Sequence, residues 1–377
     1  MKKSVFMAIV LPLFFGCLAS KDNLNVAKIY VVSSGRSKAL IDTTYFKSCR
    51  IVPLETNDNS LLRRIDRIYN HDNKLFILDR SLNKIGIFDM DGKYLTNINR
   101  IGNGPSEYLG LMDFCPDTIH NQLLLLCHRP YKIMRFDYSG KFIDENKIND
   151  LFDNIVADNN HIYCNRSETN TIYSDNYELV VMDFNAKVMD SYLPLRTELA
   201  SNISHFRGQN LTSTTNIYYS RRFDNTIYQL DNGNLIAKYS IDFKENTFPE
   251  NLSQEKNLYQ VAKDNGYVYA ITDVAESENY LTFNTNLGFF ILEKKHNILK
   301  GYDIVSNSQL KVGNRSYLSV GYNNRIIALV YYPANMPLSE IRDAAKTIPN
   351  FDNFELLKLA EKVNDEDNPL LLLYEFK

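Results

Sequence analysis

Four arginines in this chain each follow directly on a short apolar or aromatic run: Arg80 in "FILDRS", Arg129 in "LLCHRP", Arg166 in "IYCNRS" and Arg222 in "YYSRRF". A guanidinium is a rigid planar fork of N–H donors, so several at one rim would hold a carboxylate, sulfate or phosphate. The competing assignment is a local ion pair, for which Asp79 and Asp224 are close in sequence. A second set of polar residues sits at or beside the preceding apolar runs: Asp66 in "RRIDRIY", Asp113 in "GLMDF", Asn154 in "LFDNIV" and Asp273 in "AITDVA". Oxygens of such groups converging on one point would bind Ca²⁺. The same groups also satisfy backbone donors where chains crowd together, which is the commoner use. The third feature is "RIGNGPSEYLG" (100–110). It is not a dinucleotide loop, because Pro105 removes an N–H that a pyrophosphate would need and an extended run follows in place of a helix. It lacks the Gly-Lys-Ser/Thr of a nucleotide triphosphate loop as well. Gly102 and Gly104 allow tight turns, Pro105 stiffens the crossing and Glu107 is placed to accept neighbouring N–H groups, so a structural connection is expected.

Residue types exclude several other chemistries. A net charge of −3 over 377 residues argues against a general nucleic-acid binder. There is no tryptophan, hence no sialidase-type Asp-box and no WD signature. No G-x-S-x-G elbow or H-E-x-x-H appears. The six histidines (71, 120, 128, 161, 205, 296) are scattered, and only His128 and His205 are expected near the arginine-bearing rim. No Cys/His cluster has zinc spacing. Apart from Cys17, the cysteines are Cys49, Cys115, Cys127 and Cys164. If "LMDFC" and "LLLLCHR" are hairpin neighbours, Cys127 lies opposite residue 111. Cys115 is then four residues out of register, on the order of 13 Å away, too far for a bridge. Free buried thiols are expected.

These groups need strands to position them, and 25 tyrosines with 21 phenylalanines favour strands. "NKIGIFDMDGKYL" (83–95) and "YKIMRFDYSGKFI" (131–143) align without gaps, about 48 residues apart. Each reads as a hairpin, with Gly92 and Gly140 supplying positive φ at the turn. Weaker copies lie at 178–190, with Ala186 in the glycine position, at 225–241 and at 288–304. An apolar strand precedes each copy, and "RIIALVYY" adds a sixth. A period near 48 residues with four strands per unit is that of a propeller blade, which predicts an all-β, six-bladed propeller. "CRIVPLE" (49–55) and "NPLLLLYEF" (368–376) are strands without hairpins of their own, and pairing them would close the ring and protect its edges. "LSEIRDAAKTI" and "FELLKLAEKV" predict a helical insertion at about 338–363 in the closing blade. At the other end, Lys2, Lys3 and "VFMAIVLPLFF" read as an export signal over residues 1–16, and "FFGC" resembles a lipobox with Cys17 as the lipidated residue. Residues 17–43 are expected as tether and lead-in, and 44–377 as the propeller.

The runs "IVPLET" (51–56), "KLFILDR" (74–80), "IGIFDMDGKYL" (85–95), "GNGPSEY" (102–108) and "DNPLLLLYEFK" (367–377) resemble the six-bladed β-propeller lipoproteins of Bacteroidota, distant relatives of NHL-repeat propellers. The resemblance spans about residues 45–377 and implies export and lipid anchoring in the cell envelope, on the periplasmic or cell-surface side. It carries no catalytic residues or cofactor. The function expected is that of a non-catalytic scaffold binding a peptide, glycan or envelope protein at the arginine rim, with the lipid anchor its sole membrane contact. The alternative is a Ca²⁺-dependent hydrolase of lactonase or arylesterase kind using Asp66, Asp113, Asn154 and Asp273.

Overall fold

The structure is a computed structural model that describes residues 28–166, 176–196, 208–249, 257–308, 312–314, 319–321, 326–335, 338–347 and 354–377. The expected signal segment, Cys17, the tether up to residue 27 and His205 lie outside the described residues.

The repeated hairpin turns are built from local chemistry. In the first copy the Asp89 carboxylate accepts the N–H groups of Asp91 and Lys93, both at 2.9 Å. Asp137 does the same for Ser139 and Lys141, and Asp183 for Asn185 and Lys187. The aspartate thus holds each turn closed, while the residue three positions on takes positive φ: Gly92 (+87°), Gly140 (+84°) and Ala186 (+62°). Ala186 bears a left-handed conformation that glycine would adopt without the Cβ penalty.

Strands β1 (Ile29–Ile41) and β2 (Phe46–Pro53) precede a series of antiparallel meanders. The first sheet holds β3 (Arg67–His71), β4 (Lys74–Asp79), β5 (Lys84–Asp89) and β6 (Tyr94–Ile98). The second holds β7 (Gly110–Asp117), β8 (Gln122–His128), β9 (Lys132–Asp137) and β10 (Phe142–Lys147). The third holds β11 (Asn154–Ala157), β12 (Ile162–Asn165), β13 (Tyr177–Met182) and β14 (Val188–Pro194). Two further meanders share one ten-stranded sheet: β15 (Leu211–Ser213) to β16 (Ile217–Ser220), β17 (Thr226–Asp231) and β18 (Asn234–Asp242), then β19 (Ile271–Glu276), β20 (Tyr280–Thr285), β21 (Gly288–Glu293) and β22 (Ile298–Asn307), with β23 (Val312–Asn314) on β22. The closing sheet combines β24 (Ser319–Gly321), β25 (Ile326–Tyr331), β26 (Leu370–Phe376) and β2.

The first strands β3, β7, β11, β15, β19 and β24 touch one another in chain order. Small antiparallel four-stranded units with adjacent first strands make a propeller-like, all-β fold. Middle strands are buried on both faces, which explains their unbroken apolar runs: Leu123–Leu126 and Leu370–Leu372 have no exposed surface. β2 pairs with β26 from Phe46 opposite Phe376 to Pro53 opposite Leu370, so strands from the two ends of the chain share a sheet. Leu111 stands opposite Cys127, and Cys49, Cys115, Cys127 and Cys164 are free thiols.

The lead-in segment departs from its expected form. Val31 and Val32 pair in parallel with β18, and Ser33 through Ile41 pair in parallel with β22, so β1 bridges two meanders along their outer strands. Helices α1 (Leu258–Asn265), α2 (Leu338–Thr347) and α3 (Phe354–Lys362) are the α-helices among the described residues. Leu338 of α2 and Leu359 and Ala360 of α3 pack into one cluster with Leu370, Leu372 and Tyr374 of the closing sheet. No helix among the described residues is long and apolar enough to cross a membrane.

Candidate functional site

The chain entering β15 places Gln209 on the axis around which the first strands gather. Its side-chain oxygen accepts from Asn154 Nδ2 (2.5 Å), Arg67 Nη2 (3.0 Å) and, more weakly, Arg80 Nη2 (3.4 Å). Its amide nitrogen donates to the Asp66 carbonyl at 3.0 Å. Its backbone exchanges bonds with Asp273: Gln209 N–H to the carboxylate at 3.0 Å and Asp273 N–H to the Gln209 carbonyl at 2.8 Å. One glutamine therefore ties together the first, third, fourth and fifth meanders. The Cβ-free approach of Gly208 makes this possible: at φ +145°, a methyl group there would lie 2.2 Å from Thr272 Oγ1.

Arg67 fills the remaining space. It is 3% exposed and crosses the axis from β3 to donate to the Leu211 carbonyl (2.7 Å) and to Tyr69 Oη (2.6 Å). Its Nε lies 3.0 Å from Asp113 Oδ1, an ion pair whose N–H is not aligned as a hydrogen bond. Asp113 is wholly buried and takes the Ile155 N–H on its other oxygen at 2.9 Å. Burial pushes its carboxyl up, with the Arg67 guanidinium opposing. Burial also raises Asp273, to about 6, against the hydrogen bonds from Gln209, Thr272 and Asn284.

The four residues expected as channel ligands are thus gathered, but around protein donors. Asp66 is held by Arg64 at 2.9 Å and by the Arg80 N–H at 2.8 Å. Asp113 faces Arg67, Asn154 turns its NH₂ to Gln209, and Asp273 accepts from Gln209, Thr272 and Asn284. A guanidinium stands where Ca²⁺ would need converging oxygens, so this donor set does not fit the ion. Among the described residues no group of three or more His, Cys, Asp or Glu has metal-holding geometry.

The arginines divide. Arg166 has a fully buried side chain, paired with Asp150 at 2.7 Å and donating to the Tyr177 carbonyl at 2.8 Å, with its guanidinium 5.0 Å from the Phe152 ring. It is a core residue and is corrected out of the expected ligand set. Arg80, Arg129 and Arg222 instead bear on two titratable neighbours at the mouth of the axis. Asp153 is pushed up by burial while Arg80 and Arg222 pull it back. His128 is pushed down by burial, with Arg129 and Arg80 adding to the effect and a 3.4 Å contact to the Phe152 carbonyl opposing it. Arg80 Nε is buried with no hydrogen-bond partner. Arg129 is exposed, at φ +56°. The local carboxylates are occupied elsewhere: Asp79 accepts the N–H groups of Arg63, Arg64, Ser81 and Leu82, and Asp224 takes the Thr226 N–H and Tyr228 hydroxyl.

The glycine-rich loop joins β6 to β7 as a self-contained knot. Glu107 accepts the Gly104 N–H at 2.7 Å, Gly102 and Tyr108 bond backbone to backbone at 3.1 Å, and the buried Tyr108 hydroxyl reaches the Asn83 carbonyl at 2.8 Å. A Cβ on Gly102 would lie 2.1 Å from Glu107 Oε2. Sequence reasoning passed over Arg67, Gln209 and Asp153. Asp153 adjoins Asn154, and Arg67 adjoins Asp66, so proximity to the singled-out residues was the available signal.

No curated protein matches this chain. Among solved structures, a candidate exported protein of Bacteroides fragilis NCTC 9343 is similar at 19% identity and a TM-score of 0.72, over 93% of this chain and 100% of that one. A DUF4221 member from Bacteroides vulgatus ATCC 8482 aligns at 11% identity and a TM-score of 0.44, over 88% of this chain and 97% of that one. A streptogramin B lyase aligns at 12% identity and a TM-score of 0.40, over 71% of this chain and 76% of that one. The first likeness shows a shared fold. A family model matches residues 28–375, and the chain belongs to that family, described as a domain of unknown function (DUF4934).

Proposed function

We propose that this chain is an exported, lipid-anchored β-propeller of six four-stranded blades, and that it binds an anionic group of a peptide, glycan or envelope protein without catalysing a reaction. Counting the ten-stranded sheet as two blades bridged by β1 gives six with the four separate sheets. The export signal and Cys17 supply the anchor in the cell envelope. The observation that carries the binding reading is the mouth of the axis. The axis itself is filled by Arg67 and Gln209, while Arg80 keeps a buried Nε without a partner beside Asp153. A buried donor left unmade costs about 1–3 kcal/mol, which an incoming carboxylate, sulfate or phosphate oxygen would recover.

Thermal unfolding of the protein with a galacturonate trisaccharide, a sulfated disaccharide and an acidic tetrapeptide tests this. A ligand of the folded state adds about 2.7 kcal/mol of apparent stability at a hundredfold excess over its Kd. The shift is expected for at least one probe and is expected to vanish in Arg129→Glu with Arg222→Glu. A shift unchanged by both charge reversals would refute the arginine rim. Palmitate labelling lost in Cys17→Ser tests the anchor separately.

A further inference from the structure

A cavity of about 640 Å³ opens beside β1, well within the size of small-molecule sites. Its apolar wall is formed by Phe223 and Phe248, edge to face at 5.0 Å, with Val32 and Leu258. Two charged groups on its lining are already committed. Arg196 donates to the Arg222 carbonyl at 2.7 Å and lies 3.5 Å from Glu178, and both oxygens of Asp224 accept hydrogen bonds within its own turn. Two are open. Lys28 Nζ donates only to Thr226 Oγ1, at 3.3 Å, and Asp242 uses one oxygen for the Lys244 N–H and Thr247 hydroxyl. Neither belongs to an ion pair among the described residues, so a cation and an anion line one cavity without neutralising each other.

Register sets their spacing. Thr226, which holds the Lys28 ammonium, stands opposite Ser240, and Asp242 lies two residues further along β18 on the same face. Thr226 and Asp242 are thus diagonal neighbours across the two strands, about 7–8 Å apart. An extended dipeptide separates its ammonium from its carboxylate by about the same length, at 3.3–3.6 Å per residue.

We propose that this cavity is a second binding site, for a free dipeptide with an apolar side chain. Its carboxylate meets Lys28, its ammonium meets Asp242, and the side chain lies against Phe223 and Phe248. The parallel pairing of β1 from Ile29 opposite Tyr239 to Val32 opposite Asp242 holds both ends of the site in place before any ligand arrives.

Isothermal titration of the protein with leucyl-phenylalanine tests the proposal, alongside its N-acetyl and C-amide derivatives, free phenylalanine and maltose. Saturable binding of the free dipeptide is expected, weakened on the order of tenfold by blocking either terminus, since each loses a charge-assisted contact. Asp242→Asn is expected to weaken the free dipeptide by a similar factor and to leave the N-acetyl form unchanged. Lys28→Met should do the reverse, sparing the C-amide, and covers the case in which the first variant fails to fold. No saturation up to millimolar dipeptide, equal binding of the blocked forms, or preference for maltose would overturn it. Arg129→Glu should leave dipeptide binding intact, so failure of the arginine rim and of this site are separable.

Discussion

Replacing Arg67 by methionine removes the cation paired with Asp113 while keeping an unbranched side chain of similar reach. Asp113 has no exposed surface, and its Oδ1 has Arg67 Nε as its neighbour at 3.0 Å. Breaking a buried pair from one side costs about 3–5 kcal/mol, because the charge left behind is uncompensated. Leu211 and Gln209 lose a donor as well. At about 2.1 cal/mol/K per residue over a body of roughly 350 residues, the entropy of unfolding is near 0.7 kcal/mol/K, so a 4 kcal/mol loss lowers Tm by about 5–6 °C. The deficit should depend on pH. Burial already raises the Asp113 carboxyl, and without the guanidinium it rises further. A carboxyl raised in the folded state contributes stability that is present at low pH and lost as pH rises through its folded value. The variant is therefore expected to fall further behind the wild type at pH 8 than at pH 5. Adding Asp113→Asn should recover part of the loss and flatten that dependence. Far-UV circular dichroism through urea titrations measures all four members of the cycle, since the chain has no tryptophan. An Arg67→Met variant within about 1 kcal/mol of the wild type at both pH values, or a cycle with additive single effects, would refute the account of the axis.

Other perturbations follow from the same geometry. Gly208→Ala forces a methyl to 2.2 Å from Thr272 Oγ1 and 2.6 Å from Asp273 Oδ2 at positive φ, and is expected to cost roughly 2–4 kcal/mol in urea unfolding. Gly102→Ala displaces Glu107 from the Gly104 N–H, an expected loss of about 1 kcal/mol. Glu107→Ala should cost about the same, and the two together little more than either alone. The shift of Asp273 from 3.8 to about 6 corresponds to about 3 kcal/mol that is present below pH 4 and lost as pH rises through about 6. Comparing Asp273→Asn with the wild type at pH 5 and pH 7 isolates it, the wild type losing more stability across that interval. Parallel pH profiles for the two proteins would show that Asp273 does not titrate as its burial requires.

What was legible in the sequence is what local chemistry fixes. The aspartate and glycine of "FDMDGK" specify a turn regardless of distant partners, and alternating apolar residues on either side specify its strands. Register was readable in the β7–β8 hairpin as well, as Leu111 opposite Cys127 shows. The pairing of β2 with β26 was readable because two strands without hairpins sat at opposite ends of the chain. β1 was not readable: "IYVVSSGRSKALI" alternates weakly, and its partners at residues 239–242 and 299–306 are more than 200 residues away. Gln209 carries no signal of its own in "FRGQNLTS", and its role exists only where several meanders meet. Arg166 shared its sequence position with the other three arginines, yet the carboxylate of Asp150 draws it into the core.

The filled axis also bears on the binding proposed above. Propeller channels commonly present converging polar groups to a ligand, and here the equivalent groups are spent on one another through Gln209 and Arg67. Each donor given to that network is withdrawn from ligand binding, and what it contributes is a centre linking the first, third, fourth and fifth meanders. The proposed binding then falls to groups at the edge of that network and beyond it. Arg129 is exposed, and Arg80 and Arg222 bear on Asp153, whose carboxyl burial pushes towards its neutral form. On the binding reading proposed above, an anion there would share the field of Arg80 and Arg222 with Asp153. Burial raises both carboxyls, Asp113 at the centre against Arg67 and Asp153 against Arg80 and Arg222, so in each place the guanidinium groups oppose what burial does to the acid.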